Sequence, residues 1–154
     1  MNNTTPYKAP SFSLTDMDGK VHSLKEYNGS WVVLYFYPKD DTPGCTVEAC
    51  GFRDIQDTLL AKRVVVLGVS RDDGASHRNF YIKHSLDFTL LSDPDHKVMD
   101  AYGVWGKKMF GQEGVLRKTF VINPAGQVVK VYGRVTPVGH AGQILADLEK
   151  LQAI

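Results

Sequence analysis

Two apolar runs dominate the chain. Trp31–Tyr37 and Val64–Ser70 are near-continuous stretches of aliphatic and aromatic residues. Their length and β-branched content predict strands buried on both faces, as in a parallel sheet covered by helices. Shorter patterns surround them. Phe12–Leu14 reads as a strand, and Asp18-Gly19 as a hairpin turn leading into Lys20–His22. Ser23 is placed to cap a short turn through Tyr27. A helix is expected from Thr46 to Leu60, with Ile55, Leu59 and Leu60 on its buried side. Another spans about Ala75–His84, anchored by Phe80 and Tyr81, and a short one starts at Asp93-Pro94 and ends near Tyr102-Gly103.

Arg117–Ile122 then reads as a strand, Pro124–Gly126 as a turn and Gln127–Tyr132 as the antiparallel partner. A closing helix, about Gly139–Leu151, carries Ile144, Leu145, Leu148 and Leu151 on one face. The order is ββ-βαβα-αββα. Parallel crossovers followed by a hairpin and a terminal helix predict an α/β fold with a central mixed sheet flanked by helices. That is a thioredoxin-like layout with an N-terminal β-hairpin extension, and no linker or repeat divides residues 1–154 into more than one domain.

Composition narrows the function more than the fold. At 154 residues the chain buries a core without needing disulfides or metal. Eighteen Lys and Arg stand against seventeen Asp and Glu, so no broad phosphate-binding surface and no nucleic acid partner is expected. No apolar run is long enough to cross a bilayer. Met1–Pro6 has neither the basic start nor the apolar region of a secretory signal, which points to the cytoplasm. In a reducing compartment, a close cysteine pair is more often catalytic or metal-binding than structural.

Both cysteines, Cys45 and Cys50, lie in the segment that joins the first long strand to the following helix. A strand-to-helix turn presents unpaired N–H groups and a dipole that favours an anion, conditions that promote a nucleophilic thiolate. Such a sulfur attacks a peroxide oxygen and becomes a sulfenic acid. Pro43-Gly44-Cys45 supplies backbone donors, Thr42 a hydroxyl, and Pro38 a restriction at the strand exit. Arg117 is the best-placed guanidinium in sequence terms, and Glu48 is expected to orient it as a bidentate pair. On an intact helix, residues 45 and 50 place their Cα atoms roughly 8–9 Å apart, beyond the ~7 Å limit for a disulfide. If the two cysteines pair, the first helical turns must unwind, and Gly51 weakens the helix there.

The segment Pro38-x-x-x-Thr42-x-x-Cys45 resembles the peroxiredoxin active-site pattern. Phe36–Lys39 and Thr42–Cys50 look like the bacterioferritin comigratory protein (PrxQ) branch, as do Tyr102–Gly106, Arg117–Ile122 and Val131–His140. The resemblance implies that Cys45 is the peroxidatic cysteine and Cys50 the resolving one. Thr42 and Arg117 would complete the peroxide pocket, Pro38 would shield it, and Glu48 would steady the arginine. It also implies a monomer that reduces hydrogen peroxide and organic hydroperoxides and is recycled by thioredoxin or a similar dithiol donor. The stretch between Trp105 and Arg117 is shorter than the family pattern, and Asn123 stands where Asp is common.

Other readings stay open. No cofactor is called for: zinc needs about four ligands, and His22, His77, His84, His96 and His140 are scattered, each more simply a surface or capping residue. Arg117 reads equally as an ordinary strand-end residue, Glu48 as a first-turn carboxylate and Thr42 as an N-cap. Trp105, Met109 and Phe110 form an apolar cluster in an expected loop, for core packing or donor docking. Two alternative functions share the cysteines. One is a protein dithiol–disulfide oxidoreductase, although such enzymes generally use a Cys-x-x-Cys turn. The other is a redox sensor whose helix melts on oxidation.

Overall fold

Alternate residues of the first apolar run feed two separate cores, which is why the run is unbroken. Strand β4 (Trp31–Phe36) turns Val33 and Tyr35 to one face of the sheet and Val32, Leu34 and Phe36 to the other. The computed structural model describes residues 5–108 and 111–153. Before β4 come β1 (Tyr7–Lys8), β2 (Ser13–Thr15), β3 (Val21–Ser23) and a 3-10 turn over Leu24–Tyr27. After it come α1 (Pro43–Asp54), α2 (Gln56–Ala61), β5 (Val64–Ser70), α3 (Gly74–Lys83), β6 (Thr89–Ser92) and α4 (Lys97–Tyr102). A small hairpin of β7 (Trp105–Lys107) and β8 (Glu113–Val115) precedes β9 (Lys118–Ile122), β10 (Gln127–Tyr132) and α5 (His140–Gln152).

The eight-stranded sheet runs β1-β10-β9-β4-β5-β6-β2-β3. β4, β5 and β6 are parallel, while β9 and β10 pair antiparallel on the other side of β4. The sheet is mixed and flanked by helices, the thioredoxin-like layout. The expected N-terminal hairpin is β2–β3, and it joins the sheet edge through a single pair, Thr15 with Ser92. One face of the sheet packs against α1 and α5 through Ala49, Phe52, Ile144 and Leu148. The other packs against Met99 and Tyr102 of α4 together with Phe12 and Leu14.

Several expected elements shift. The helix anticipated over Thr46–Leu60 starts three residues earlier, with Pro43 as its first residue, a position where the missing N–H costs nothing. It breaks at Ile55, whose N–H turns back to the Phe52 carbonyl at 3.2 Å, and Leu60 is exposed rather than buried. The helix expected at Asp93-Pro94 begins at Lys97 instead. Asp93 caps it from outside, accepting from the Met99 N–H at 2.9 Å. Strand β6 and the β7–β8 hairpin carry patterns too short to announce themselves. Trp105 lies in that hairpin, not in a loop, while Met109 and Phe110 fall outside the described residues.

Three histidines are not surface residues. His22 bridges Asp16 and Tyr27, and His77 and His140 are buried in hydrogen-bond networks. Among the described residues, no helix is long and apolar enough to cross a membrane.

Candidate active site

Helix α1 starts where β4 leaves the sheet, so its first turn opens beside the strand ends. The connecting turn, Tyr37–Thr42, contains Asp41 in the left-handed region (φ 59°), a conformation that Asp tolerates better than most residues. Thr42 is extended and its carbonyl accepts the Thr46 N–H at 2.8 Å. With Pro43 and Gly44 first and second in the helix, Cys45 is the third residue. The N–H groups of Gly44 and Cys45 therefore have no helical carbonyl to receive them.

The Cys45 side chain is buried, and Arg117, the residue just before β9, reaches it from the neighbouring strand. Arg117 Nη2 donates to Cys45 Sγ at 3.3 Å, and Nη1 donates to Glu48 Oε1 at 2.6 Å. The pairing with Glu48 is thus single, not the bidentate fork the sequence suggests, because the second prong is spent on the sulfur. Glu48 Oε2 is left buried with no partner. That unpaired oxygen decides the electrostatics. Burial pushes the Glu48 carboxyl up to about 7 although Arg117 pulls it down. Burial also opposes the Arg117 charge, but Glu48 and Cys45 hold it above its ordinary value. The two shifts point in opposite directions for the strength of the pair. The one at Glu48 carries more weight, because half of its carboxylate has nothing to replace water.

Gly44 lies close under the guanidinium. A Cβ there would stand 3.2 Å from Arg117 Nη2 and 3.5 Å from Pro137 Cγ, so the arginine tip would have to give by a few tenths of an ångström. Pro38 is half-buried and lines a cleft of about 460 Å³ with Leu116, Arg117, Arg134 and Val135. Pro43 is exposed. The Thr42 hydroxyl makes no cap bond; it donates to the Lys39 carbonyl at 2.9 Å, which keeps its lone pairs available to accept. Beyond Arg117, Thr119 Oγ1 lies 2.8 Å from His140 Nε2, and burial pulls that imidazole below its usual range.

Cys50 sits half-buried in the same helix, and both cysteines are free thiols. Gly51 has a packing reason that sequence reading missed: a Cβ there would come within 3.3 Å of Ala141 Cβ on α5. Sequence reading also missed a polar cluster around Asp40 and His77 beneath the connecting turn. These residues are 37 positions apart, and no local spacing could have joined them.

The sequence profile of the AhpC/TSA family matches residues 6–131. A putative peroxiredoxin bcp from Coxiella burnetii is 46% identical over 92% of this chain and 95% of its own length. Peroxiredoxin Bcp from Bacillus subtilis is 42% identical over 94% of each chain. Among solved structures, the bacterioferritin comigratory protein of Xanthomonas campestris, studied for its alkyl peroxide reduction activity, superposes with a TM-score of 0.86. It shares 39% identity over 90% of both chains. A cysteine-to-serine mutant of Xylella fastidiosa PrxQ gives a TM-score of 0.89 at 32% identity, covering 97% of this chain and 99% of that one.

Proposed function

This chain belongs to the AhpC/TSA family as a peroxiredoxin of the Bcp (PrxQ) branch, and from that footing we propose which of its residues perform the peroxidase reaction. The protein is a thiol peroxidase. In our reading Cys45 is the attacking sulfur. The single observation that carries this is the contact of Arg117 Nη2 with Cys45 Sγ, a fixed cation on a buried sulfur at a helix N-terminus.

The thiolate attacks one oxygen of R–O–O–H. The S–O bond forms as the O–O bond breaks, leaving Cys45 as sulfenic acid and R–O⁻ to take a proton and depart as alcohol or water. Negative charge moves from sulfur to the leaving oxygen, and the Arg117 guanidinium stabilises both ends of that movement without relocating. The Gly44 and Cys45 N–H groups donate to the peroxide. Thr42, its own hydrogen committed to the Lys39 carbonyl, accepts a hydrogen bond from the hydroperoxide O–H. Pro38 limits water at the sulfur, and Pro43 and Gly44 shape the turn. Glu48 steadies Arg117.

Cys50 then attacks the sulfenic sulfur, expelling water and forming a disulfide. Both cysteines lie within α1, at a separation of roughly 8–9 Å between Cα atoms that no disulfide spans. The first turns of α1 must therefore unwind in each cycle. Resolution within one chain needs no second copy, in keeping with the monomer that the family resemblance implies. A thioredoxin-like dithiol returns the disulfide to thiols, in a reducing compartment such as the cytoplasm.

The test is to mix reduced protein with one equivalent of hydrogen peroxide, count thiols and map peptides by mass spectrometry. Wild type should lose two thiols to a Cys45–Cys50 bridge. Cys50→Ser should accumulate sulfenic acid on Cys45, and Cys45→Ser should not react. Peroxide reduction retained by Cys45→Ser would sink the assignment.

A further inference from the structure

The turn that carries Thr42 into α1 is anchored at its other end by a buried cluster to which the reaction scheme gives no part. Asp40 commits its N–H and both carboxylate oxygens there. Its N–H donates to Asp72 Oδ2 at 2.8 Å, and its Oδ1 accepts the Tyr37 hydroxyl at 2.6 Å. Its Oδ2 accepts the Ser76 hydroxyl at 2.9 Å and faces His77 Nδ1 at 2.7 Å. His77 Nε2 lies 3.0 Å from the Leu91 carbonyl. A carbonyl only accepts, so Nε2 carries a hydrogen, and the ring spans from α3 to β6. The His77 side chain is fully buried and that of Asp40 is 3% exposed.

Asp40, Asp72 and His77 bring ligand atoms within 4.8 Å of one another. Both imidazole nitrogens are already taken by protein atoms, however, so the cluster is a scaffold and not a cation cage. The next residue is gripped as well. Asp41, in its left-handed conformation, accepts from Lys83 Nζ at 2.7 Å and lies 3.0 Å from His84 Nε2. Residues at the two ends of α3 thus hold consecutive residues of one turn, immediately before the helix that has to unwind.

We propose that Asp40 and His77 are positioning residues for peroxide reduction. They lock the Pro38–Thr42 turn against α3 and β6 and so favour the wound, peroxide-reactive form of α1 over the unwound, disulfide-forming one. The inference rests on Cys45 as the attacking sulfur. It goes further by assigning the balance between the two forms to a cluster whose hydrogen bonds reach neither cysteine. Whatever fixes the start of α1 helps the first chemical step and hinders the second, because the two steps need opposite conformations.

The signature is therefore a change of opposite sign in two rates. Stopped-flow fluorescence of reduced protein with hydrogen peroxide, with acid-quench mass spectrometry, separates sulfenic acid formation from disulfide closure. Asp40→Ala should slow sulfenic acid formation on the order of tenfold, through loss of orientation. It should also speed disulfide closure and lower the yield of over-oxidised sulfinic acid at high peroxide. Asp40→Asn retains the shape, with an amide to donate to His77 Nδ1 and a carbonyl to accept from Tyr37, and should return both rates towards wild type. Tyr37→Phe, a milder loss of one donor, supplies the same comparison should Asp40→Ala fail to fold. Both steps slowing together, or neither moving while wild type oxidises at Cys45, would overturn the proposal. Wild type that forms no sulfenic acid at Cys45 would overturn the site assignment itself, and this inference with it.

Discussion

Replacing Glu48 by glutamine isolates the cost of a half-satisfied carboxyl that shares Arg117 with the Cys45 sulfur. The folded protein holds this group at about 7, against an ordinary value of 4.5, because burial outweighs the Arg117 contact. Below pH 4.5 the carboxyl is protonated in both folded and unfolded chains, and the full contribution to stability is present. Between 4.5 and 7 the unfolded chain ionises while the folded one resists, so stability falls as pH rises. Above 7 the loss is complete. The displacement corresponds to about 3 kcal/mol, or on the order of 10 °C in Tm for a domain of this size. The assay is urea or thermal unfolding of wild-type and Glu48→Gln chains at pH 4.5 and 7.5, both in a Cys45→Ser background so that no thiol titrates at the site. The wild-type protein should lose stability relative to the glutamine variant across that interval. A flat difference, or a wild type that gains with pH, would mean that the Arg117 ion pair outweighs burial, and the reasoning would fail.

Three further substitutions test the site more locally. Arg117→Lys replaces the fixed fork that joins Glu48 and the sulfur by a flexible ammonium with no such geometry. Cys45 oxidation by peroxide, followed by stopped flow, should fall by about 10²–10³-fold. Gly44→Ala places a Cβ 3.2 Å from Arg117 Nη2; oxidation should slow by roughly tenfold while Tm changes little, and an unchanged rate would show that the guanidinium has room to move. Gly51→Ala strengthens α1 by about 1 kcal/mol of helix propensity, set against a new 3.3 Å contact with Ala141. Disulfide closure should slow and sulfinic acid accumulate. Faster closure would mean that the contact with α5, not the helix propensity, governs unwinding.

The layered fold was legible because its main strands obey a local rule. Trp31–Phe36 and Val64–Ser70 are apolar at almost every position, and only burial on both faces explains that. The hairpin at Asp18-Gly19, the β9–β10 turn and the amphipathic α5 are likewise written in residues close to one another along the chain. The cysteine-bearing segment was legible as a unit for the same reason. Pro38, Thr42, Pro43, Gly44, Cys45, Glu48 and Cys50 span one turn and one helix, and their spacing already sets the two sulfurs too far apart to bridge.

What stayed hidden depends on contacts across the fold. Strand β6 has only four residues, and β7 and β8 three each, too few for a period to show. Whether Glu48 meets Arg117 with one oxygen or two is decided by the position of β9 beside α1, which spends the other prong on sulfur. Gly51 reads as a weak point in a helix until α5 is packed against it. His77 is one scattered histidine in the sequence and the centre of a buried cluster in the fold. The sequence by itself pointed to the cysteine-bearing helix and the strands that carry it, because local pattern and backbone geometry act over a few residues. Only the tertiary structure decided which charge faces the sulfur and what holds the reactive turn, because burial and hydrogen bonding join groups far apart along the chain.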